Sequence, residues 1–416
     1  MPSKESFLKL ADHECDLAAR YAAVRALTEE LVRPLTPEDQ NVQSMPDASP
    51  AKWHLAHTTW FFERLVLSRS STYQVFDPRY DAVFNSYYLG LGQPFTRAQR
   101  GLLTRPDATD ILAYRRYVDI AMAEALTDPD EALREIVVLG LNHEQQHQEL
   151  LLTDIKHAFS CNPLLPAYRK SALSAIQNAA TMEWTHHDGG QVEIGHDGKD
   201  FAFDNERPKH VVTLRPFRLA SRPVTCGEFL EFIADGGYDR PEFWLSDGWS
   251  MARSENWRAP LYWLGKGEVF TLHGVRPVDA AEPVAHVSFY EAAAYAAWAG
   301  KRLPTEFEWE AIARTAPLSG NFLDSDVLHP SAAKPDAHRM FGDVWVWTRS
   351  SYDPYPGYKP FEGPLSEYNG KFMIGQVVLR GGSCATPVGH IRPTYRNFFP
   401  PAARWQFSGI RLAEDI

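Results

Sequence analysis

At 416 residues the chain is longer than a single hydrophobic core usually grows, so we expect two domains. Its hydrophobic content of 44%, its charged content of 23% and its net charge of −11 without a basic block argue against nucleic acid or an anionic membrane as its main partner. No run approaches the about 18 apolar residues of a membrane span, and the four cysteines form no C-x-x-C pair, so we expect a cytoplasmic monomer with reduced thiols.

Four helices are predicted in the first part of the chain. Residues 6–35 carry apolar side chains at helical spacing. Ser49-Pro50 is a typical helix start, with serine as N-cap and proline at the first helical position, for a helix that runs to about Leu67. Residues 110–125 and 130–159 form the third and fourth helices. Their long apolar faces predict an antiparallel bundle, an architecture that builds metal sites from facing helices.

Two histidines of the fourth helix, His143 and His147, are four residues apart and therefore lie on one side of it. A metal would satisfy their buried nitrogens, although the same spacing also occurs on polar helix surfaces. Glu144 follows the first histidine as in zinc proteases, so that interpretation stays open at this point. On the second helix, His57 lies in an aromatic stripe and His54 lies about 60° from it. From these residues alone, an isolated core histidine is the better interpretation of His57.

Five polar side chains crowd the loop-rich stretch before the third helix. Arg97, Arg100 and Arg105 lie close in sequence to Tyr87 and Tyr88. The arginines can form a solvated basic loop. They can equally form a clamp for a carboxylate, because guanidinium groups hold carboxylates in a bidentate manner.

The composition changes after residues 163–181, which we interpret as a linker between a domain at 1–162 and a domain at 182–416. Short alternating segments predict strands there, and two segments predict helices. Residues 236–272 and 343–407 are rich in aromatic residues, proline and glycine and show no regular period. The predicted strands are 189–195, 210–214, 216–220 and 376–380, and the predicted helices are 225–234 and 288–299.

Residues 53–63 and 143–149 together resemble the iron-binding pattern of the DinB-like domain in the sulfoxide synthases of ergothioneine biosynthesis, the EgtB or hercynine oxygenase family. The resemblance implies an α+β protein: an N-terminal DinB-like four-helix bundle, then a mixed domain similar to formylglycine-generating enzyme, with a C-type-lectin-like fold. The motifs follow the family's order over nearly the whole chain. Those of the second domain are 222–225, 283–288, 302–310, 342–345, 379–383 and 409–411.

The resemblance selects His57 rather than His54 as the third ligand. His57, His143 and His147 would then form a three-histidine site for Fe(II), with open positions for the substrate sulfur and O₂. The zinc-protease interpretation weakens, because no further ligand that would support Glu144 is identifiable downstream.

The activity implied by the resemblance is O₂-dependent joining of the thiol of cysteine, or of γ-glutamylcysteine, to the imidazole of hercynine (N-α-trimethylhistidine), with oxidation of the sulfur to a sulfoxide. Arg97 and Arg100 would hold the carboxylate of the thiol substrate, and Gln146 would hydrogen-bond to hercynine's imidazole. Tyr87 and Tyr88 match the tyrosine pair of the family's second type, and a phenol near the iron could donate a proton.

Aromatic walls suit hercynine's quaternary ammonium, and the resemblance places Asn397, Phe398 and Phe399 there. Three other functions stay open. A selenoneine-type synthase would use a selenosugar donor on the same scaffold. A zinc-dependent DinB-like thiol transferase would use the same histidines without taking up O₂. A non-catalytic lectin-like protein would need neither the histidines nor the arginines.

Overall fold

A computed structural model of the chain describes residues 16–170, 179–332 and 339–416. The predicted helical residues 6–15 and part of the predicted linker, 171–178, lie outside the described residues. The chain divides into two compact units, and the predicted domain bounds stay a prediction. The first unit contains residues up to 169 together with 361–368 and 386–390, and the second contains 170–360, 369–385 and 391–416.

The first unit is helical. Its helix α2 (Ala51–Leu65) packs against both α4 (Ala108–Ala125) and α5 (Glu131–Ser160), and α1 (Leu17–Val32) packs against α5. The four long helices expected from the sequence are therefore present in the described residues, with one short helix added between the second and third. The helices are α1 Leu17–Val32, α2 Ala51–Leu65, α3 Tyr80–Phe84, α4 Ala108–Ala125 and α5 Glu131–Ser160.

The start of α2 differs from the prediction by one residue. Pro50 occupies the N-cap position, and Ser49 makes no capping hydrogen bond. The Ser49 hydroxyl instead accepts a hydrogen bond from Arg100, and the Ser49 N–H donates to Asp154. Ser49 is thus used to connect three parts of the unit rather than to cap the helix.

Glycine at position 140 permits the close approach of α2 and α5. A Cβ atom at Gly140 would lie 2.6 Å from the Phe62 ring and 2.9 Å from the Phe61 ring. Because buried rings in a packed core cannot move aside cheaply, any larger residue would separate the two helices. The close packing brings the histidine-bearing segments of α2 and α5 together.

The second unit is rich in short strands, which form small sheets. The strands are β1 Trp184–His187, β2 Gly190–Ile194, β3 His210–Leu214, β4 Phe217–Ala220, β5 Trp263–Gly265, β6 Glu268–Thr271, β7 Gly274–Pro277, β8 Gly320–Asn321, β9 Phe341–Gly342, β10 Trp345–Ser351, β11 Val377–Arg380, β12 Asn397–Phe399, β13 Ser408–Gly409 and β14 Ala413–Asp415. The largest sheet has the order β12-β11-β10-β13, in which β10 pairs antiparallel with β11 and parallel with β13. A second sheet has the order β1-β4-β14 and a third β5-β6-β7, while β2 pairs with β3 and β8 with β9.

Four helices accompany these strands in the described residues: α6 Cys226–Ala234, α7 Ser246–Ser254, α8 Phe289–Trp298 and α9 Glu306–Ala313. Three of them begin with a capping box, formed by Thr225, Ser288 and Thr305 with the glutamate three residues later. The predicted strands and both predicted helices are found. The stretches without a clear period nevertheless contain α7 and β10, so the prediction that they are irregular was wrong for those elements.

The core of the second unit contains a compensated cluster of charges. The Glu306 carboxylate accepts hydrogen bonds from Arg380 and Arg396, and Arg380 also donates to Glu310. All four side chains are at most 3% exposed. Burial opposes ionisation of Glu306, but the two arginines hold its pKa below the usual range.

The architecture is an α+β protein with a helical region followed by a sheet-rich mixed region, which confirms the predicted fold class. Within the described residues, no helix combines the length and the apolar character needed to cross a bilayer. Within the described residues, Cys161, Cys226 and Cys384 are not disulfide-bonded, and Cys15 lies outside those residues.

Candidate metal centre

Three imidazoles converge in the helical unit. Each of His57, His143 and His147 offers one ring nitrogen, and these nitrogens lie within 4.8 Å of one another. The Nε2 atoms of His57 and His143 are 3.2 Å apart. The first histidine comes from α2 and the other two from successive turns of α5, as the helical spacing predicts.

The aromatic stripe of α2 fixes the orientation of His57. The His57 Nδ1 atom donates to the carbonyl oxygen of Phe84 at 2.6 Å. The indoles of Trp53 and Trp60, one turn before and one turn after, lie nearly parallel to the imidazole, with interplanar angles of 13° and 14°. Both indoles also donate to α3, Trp53 to the Val83 carbonyl and Trp60 to the Asp81 carboxylate. With Nδ1 protonated, the His57 Nε2 lone pair is free to bind a cation.

The environment keeps all three imidazoles neutral. Burial lowers the pKa of His143 to about 3. Burial, reinforced by the neighbouring imidazoles, lowers the pKa of His57 and of His147 well below the usual range. Neutral imidazole is the form that binds metals, so the three side chains need no deprotonation at neutral pH.

The donor set fits a divalent transition metal. Two imidazole nitrogens that each lie about 2.1 Å from one ion at a right angle are about 3.0 Å apart. The observed 3.2 Å between the His57 and His143 Nε2 atoms agrees with this spacing. If neither nitrogen carries a proton, the two lone pairs repel each other, and a bound cation turns this contact into two favourable bonds. Three imidazoles also leave other coordination positions for further ligands.

Glu144 points away from the three histidines into a buried network of ions. Its carboxylate accepts hydrogen bonds from Arg25, Arg115 and Thr28. Burial opposes its ionisation, but Arg115 and Arg25 outweigh that effect and lower the pKa of Glu144 to about 2. A carboxylate this acidic and this fully paired is a poor general base. The geometry thus argues against the zinc-protease interpretation of the H-E-x-x-H spacing.

Tyrosine side chains gather on one side of the histidines. The rings of Tyr87 and Tyr88 lie 4.7 Å apart, and the Tyr88 ring is 5.8 Å from Trp60. Burial and then the neighbouring Tyr87 and Tyr368 raise the pKa of Tyr88 well above the usual range. Tyr88 therefore keeps its proton at neutral pH.

Tyr368 is a site residue that sequence reasoning missed. It belongs to the segment 361–368, which joins the helical unit from far along the chain. Its ring centroid lies 5.7 Å from that of His143, and 6.4 Å from that of Tyr87. Its hydroxyl donates to the Gln146 Oε1 atom at 2.5 Å. No motif or spacing around Tyr368 signals this position, because its partner is 222 residues away.

The two predicted clamp arginines have different environments. Arg100 is 3% exposed, with its guanidinium 3.4 Å from the centroid of the Trp53 ring. It donates to the hydroxyls of Ser49 and Ser86, and burial followed by the Arg97 charge lowers the pKa of Arg100 to about 9. Arg97 is exposed and donates to the Asp47 carbonyl oxygen. Their joint role as a clamp stays a prediction.

The predicted quaternary-ammonium residues lie in the second unit, on strand β12. The Phe398 ring stacks on Tyr352 at 3.9 Å, and the Phe399 ring is 6.1 Å from Trp405. The Asn397 side chain accepts a hydrogen bond from the Phe398 N–H. Their role at a substrate pocket stays a prediction.

Comparisons with known proteins cover almost the whole chain. Residues 20–151 match the DinB superfamily, and residues 175–337 and 331–416 match the sulfatase-modifying factor enzyme 1-like domain. The chain is 35% identical over 431 residues to the hercynine oxygenase of Mycobacterium tuberculosis, covering 96% of this chain and 99% of that protein. It is 33% identical over 433 residues to the hercynine oxygenase of Mycolicibacterium smegmatis, with the same coverage of 96% and 99%. The formylglycine-generating enzyme of Streptomyces coelicolor is 29% identical over 251 residues, 47% of this chain and 76% of that protein.

Proposed function

The chain belongs to the hercynine oxygenase family, and we propose that it is a non-heme Fe(II), O₂-dependent sulfoxide synthase of ergothioneine biosynthesis. It would join the thiol of cysteine or γ-glutamylcysteine to the imidazole of hercynine. The observation that carries the proposal is the convergence of His57, His143 and His147, with neutral rings and nitrogens within 4.8 Å. Iron bound there would supply the activation of O₂ that forming a C–S bond and a sulfoxide requires.

A buried cation is available to bind an anionic substrate. Within the described residues Arg100 forms no ion pair, and its Nε atom has no hydrogen-bond partner. A buried guanidinium whose N–H groups donate only to hydroxyls gains strongly from a carboxylate. This supports binding of the thiol substrate's carboxylate at Arg100, with Arg97 contributing from the exposed end of the same loop.

Three tyrosine hydroxyls are candidates for donating a proton to the reacting atoms. Tyr88 stays protonated because of its burial, and Tyr87 lies against it. Tyr368 is hydrogen-bonded to Gln146, which the resemblance assigns to hercynine's imidazole. A hydroxyl held by the residue that orients the substrate is well placed to donate a proton or to position the imidazole. We therefore add Tyr368 to Tyr87 and Tyr88 as a candidate proton donor.

The test is oxygen consumption by the full chain loaded anaerobically with Fe(II). Hercynine is added with cysteine, γ-glutamylcysteine or a selenosugar in turn, and products are identified by mass. We expect uptake only when hercynine and a thiol donor are both present, with a sulfoxide as product. The Zn(II)-loaded protein is the control and should consume no O₂.

Other outcomes of this assay would support a different function or contradict the proposed one. If O₂ is consumed with hercynine and the selenosugar but not with hercynine and either thiol, a selenoneine-type synthase is indicated. Thiol transfer by the zinc-loaded protein without O₂ uptake would indicate a DinB-like thiol transferase. Bound iron with no uptake under any condition would contradict the proposed activity.

A further inference from the structure

A second pair of polar side chains extends from His147 away from the other two histidines. The Nδ1 atoms of His147 and His54 are 2.8 Å apart. The Nε2 atom of His54 is 3.1 Å from the Asp154 carboxylate, and the same carboxylate oxygen accepts the Ser49 N–H at 2.8 Å. His54 is 2% exposed and Asp154 is 6% exposed.

With both imidazoles neutral and Asp154 ionised, only one arrangement of protons satisfies this chain. A carboxylate only accepts, so the His54 Nε2 atom must carry a proton. The His54 Nδ1 atom is then a bare acceptor, and the facing His147 Nδ1 atom must donate to it. The proton of His147 therefore lies on Nδ1, and its Nε2 atom is free.

The reversed arrangement would disable the metal centre. If His54 donated through Nδ1, the proton of neutral His147 would move to Nε2, the nitrogen needed for the metal. The bare His54 Nε2 would then face a carboxylate, which is repulsive unless Asp154 takes up a proton. Ionised Asp154 thus selects the tautomers of two successive imidazoles.

We propose that His54 and Asp154 form a positioning relay that keeps the His147 Nε2 atom free and turned toward the metal. Metal-bound histidines generally donate their other N–H to a carbonyl or carboxylate, which sets the ring and strengthens the ligand. His57 does this directly through the Phe84 carbonyl. His147 instead donates its Nδ1 proton to His54, and His54 in turn donates to the buried Asp154 carboxylate. The negative charge of Asp154 thereby supports the metal ligand through two successive hydrogen bonds. The relay rests on the metal-site assignment proposed above.

The test compares three variants of the full chain with the wild type. His54→Phe keeps a ring of similar size but removes both nitrogens. Asp154→Asn keeps an oxygen that can accept from Ser49 and His54 but removes the charge. His186→Phe is the control, because it removes an exposed imidazole that hydrogen-bonds to Asp188 in the sheet-rich unit. The measurements are the Co(II) dissociation constant, the Co(II) absorption spectrum and the Fe(III)/Fe(II) midpoint potential.

We expect His54→Phe to weaken Co(II) binding by about 10- to 100-fold and to change the ligand-field bands. Asp154→Asn should weaken binding less and raise the midpoint potential, because less negative charge then supports the oxidised metal. His186→Phe should match the wild type in all three measurements.

Failure of the relay and failure of the proposed function are distinguishable. A wild type that binds no metal would contradict the metal site itself. A wild type that binds metal, with His54→Phe unchanged in affinity and spectrum, would overturn the relay alone. If His54→Phe does not fold, Asp154→Asn decides, and an unchanged midpoint potential in that variant overturns the relay.

Discussion

The two units both bury charged and polar side chains, but they satisfy them differently. In the sheet-rich unit, Glu306 and Glu310 find their counter-charges in Arg380 and Arg396. In the helical unit, the nitrogens of the three histidines face one another rather than a donor from the chain. A buried cluster compensated from within is structural. A cluster whose ring nitrogens converge can instead bind a cation, and this difference indicates a functional site more clearly than burial alone does.

The same contrast occurs within helix α5. His143 faces the candidate metal centre, while the next residue, Glu144, is paired with Arg25 and Arg115 on another side. Gln148 likewise donates to the Val24 carbonyl and to Thr28. These contacts fix the rotation of α5 about its axis. The ion network on one side of the helix thereby determines where the histidines on the other side point.

The largest effect is expected on metal binding, when one of the three converging histidines (His57, His143 and His147) is removed. His143→Ala should abolish stoichiometric Fe(II) binding while the far-ultraviolet circular dichroism stays that of a folded protein, because the helix is held by its other faces. The measurement is metal content after anaerobic loading and desalting. His186→Ala, which changes an exposed histidine, is the control and should bind iron normally. Unchanged iron content in His143→Ala would contradict the site.

Breaking the compensated cluster should affect stability rather than metal binding. Glu306→Gln leaves Arg380 and Arg396 without their shared carboxylate, and we expect a loss of about 3–5 kcal/mol in the free energy of unfolding. Denaturant unfolding measures this, with iron content measured in parallel. Glu242→Gln, at an exposed pair with Arg240, should leave the free energy of unfolding essentially unchanged. Equal effects of the two substitutions would contradict a stabilising role for the buried Glu306 cluster.

Glu144→Gln separates the structural role of this carboxylate from a catalytic one. We expect a loss of about 3 kcal/mol in stability, because Arg25 and Arg115 lose their partner, with iron stoichiometry retained. Thermal unfolding and metal content are the measurements. A variant as stable as the wild type that had lost its activity would instead indicate a general base.

The pH dependence of stability tests whether the charge of Glu306 stabilises the sheet-rich unit. The pKa of Glu306 is lower in the folded state than its ordinary value, so its ionised form stabilises the fold. That contribution is complete above the unfolded pKa of about 4.3 and is lost as the pH falls through the lower folded value. The difference in unfolding free energy between wild type and Glu306→Gln should therefore narrow below about pH 4.3. A difference that stays constant down to pH 3 would contradict the charge argument.

The smallest effect on stability is expected at Arg97. Because its side chain is exposed, Arg97→Ala should change the free energy of unfolding by less than about 0.5 kcal/mol. If the arginine contacts the carboxylate of the thiol substrate, the KM for that substrate should rise about fivefold, which corresponds to about 1 kcal/mol, while kcat is retained. Steady-state kinetics at saturating hercynine measure this. An unchanged KM would leave Arg100 as the only clamp residue.

The sequence by itself determined the features that depend on local periodicity and on short motifs. The four long helices, the common side of His143 and His147 and the helices predicted at 225–234 and 288–299 all follow from residues a few positions apart. The motif order, read through a family resemblance, predicted the family and the α+β fold. It also selected His57 as the partner of the α5 pair, and the structure brings these three residues together.

Only the tertiary structure decided the features that depend on distant contacts. It places Tyr368 beside Gln146, directs Glu144 to Arg25 and Arg115, and sets His54 between His147 and Asp154. The pattern H-E-x-x-H is the same whether its glutamate faces a metal or an arginine pair. What distinguishes the two cases is the helix packed against each face, because rotation of a helix is set by the partners it buries and not by its own period.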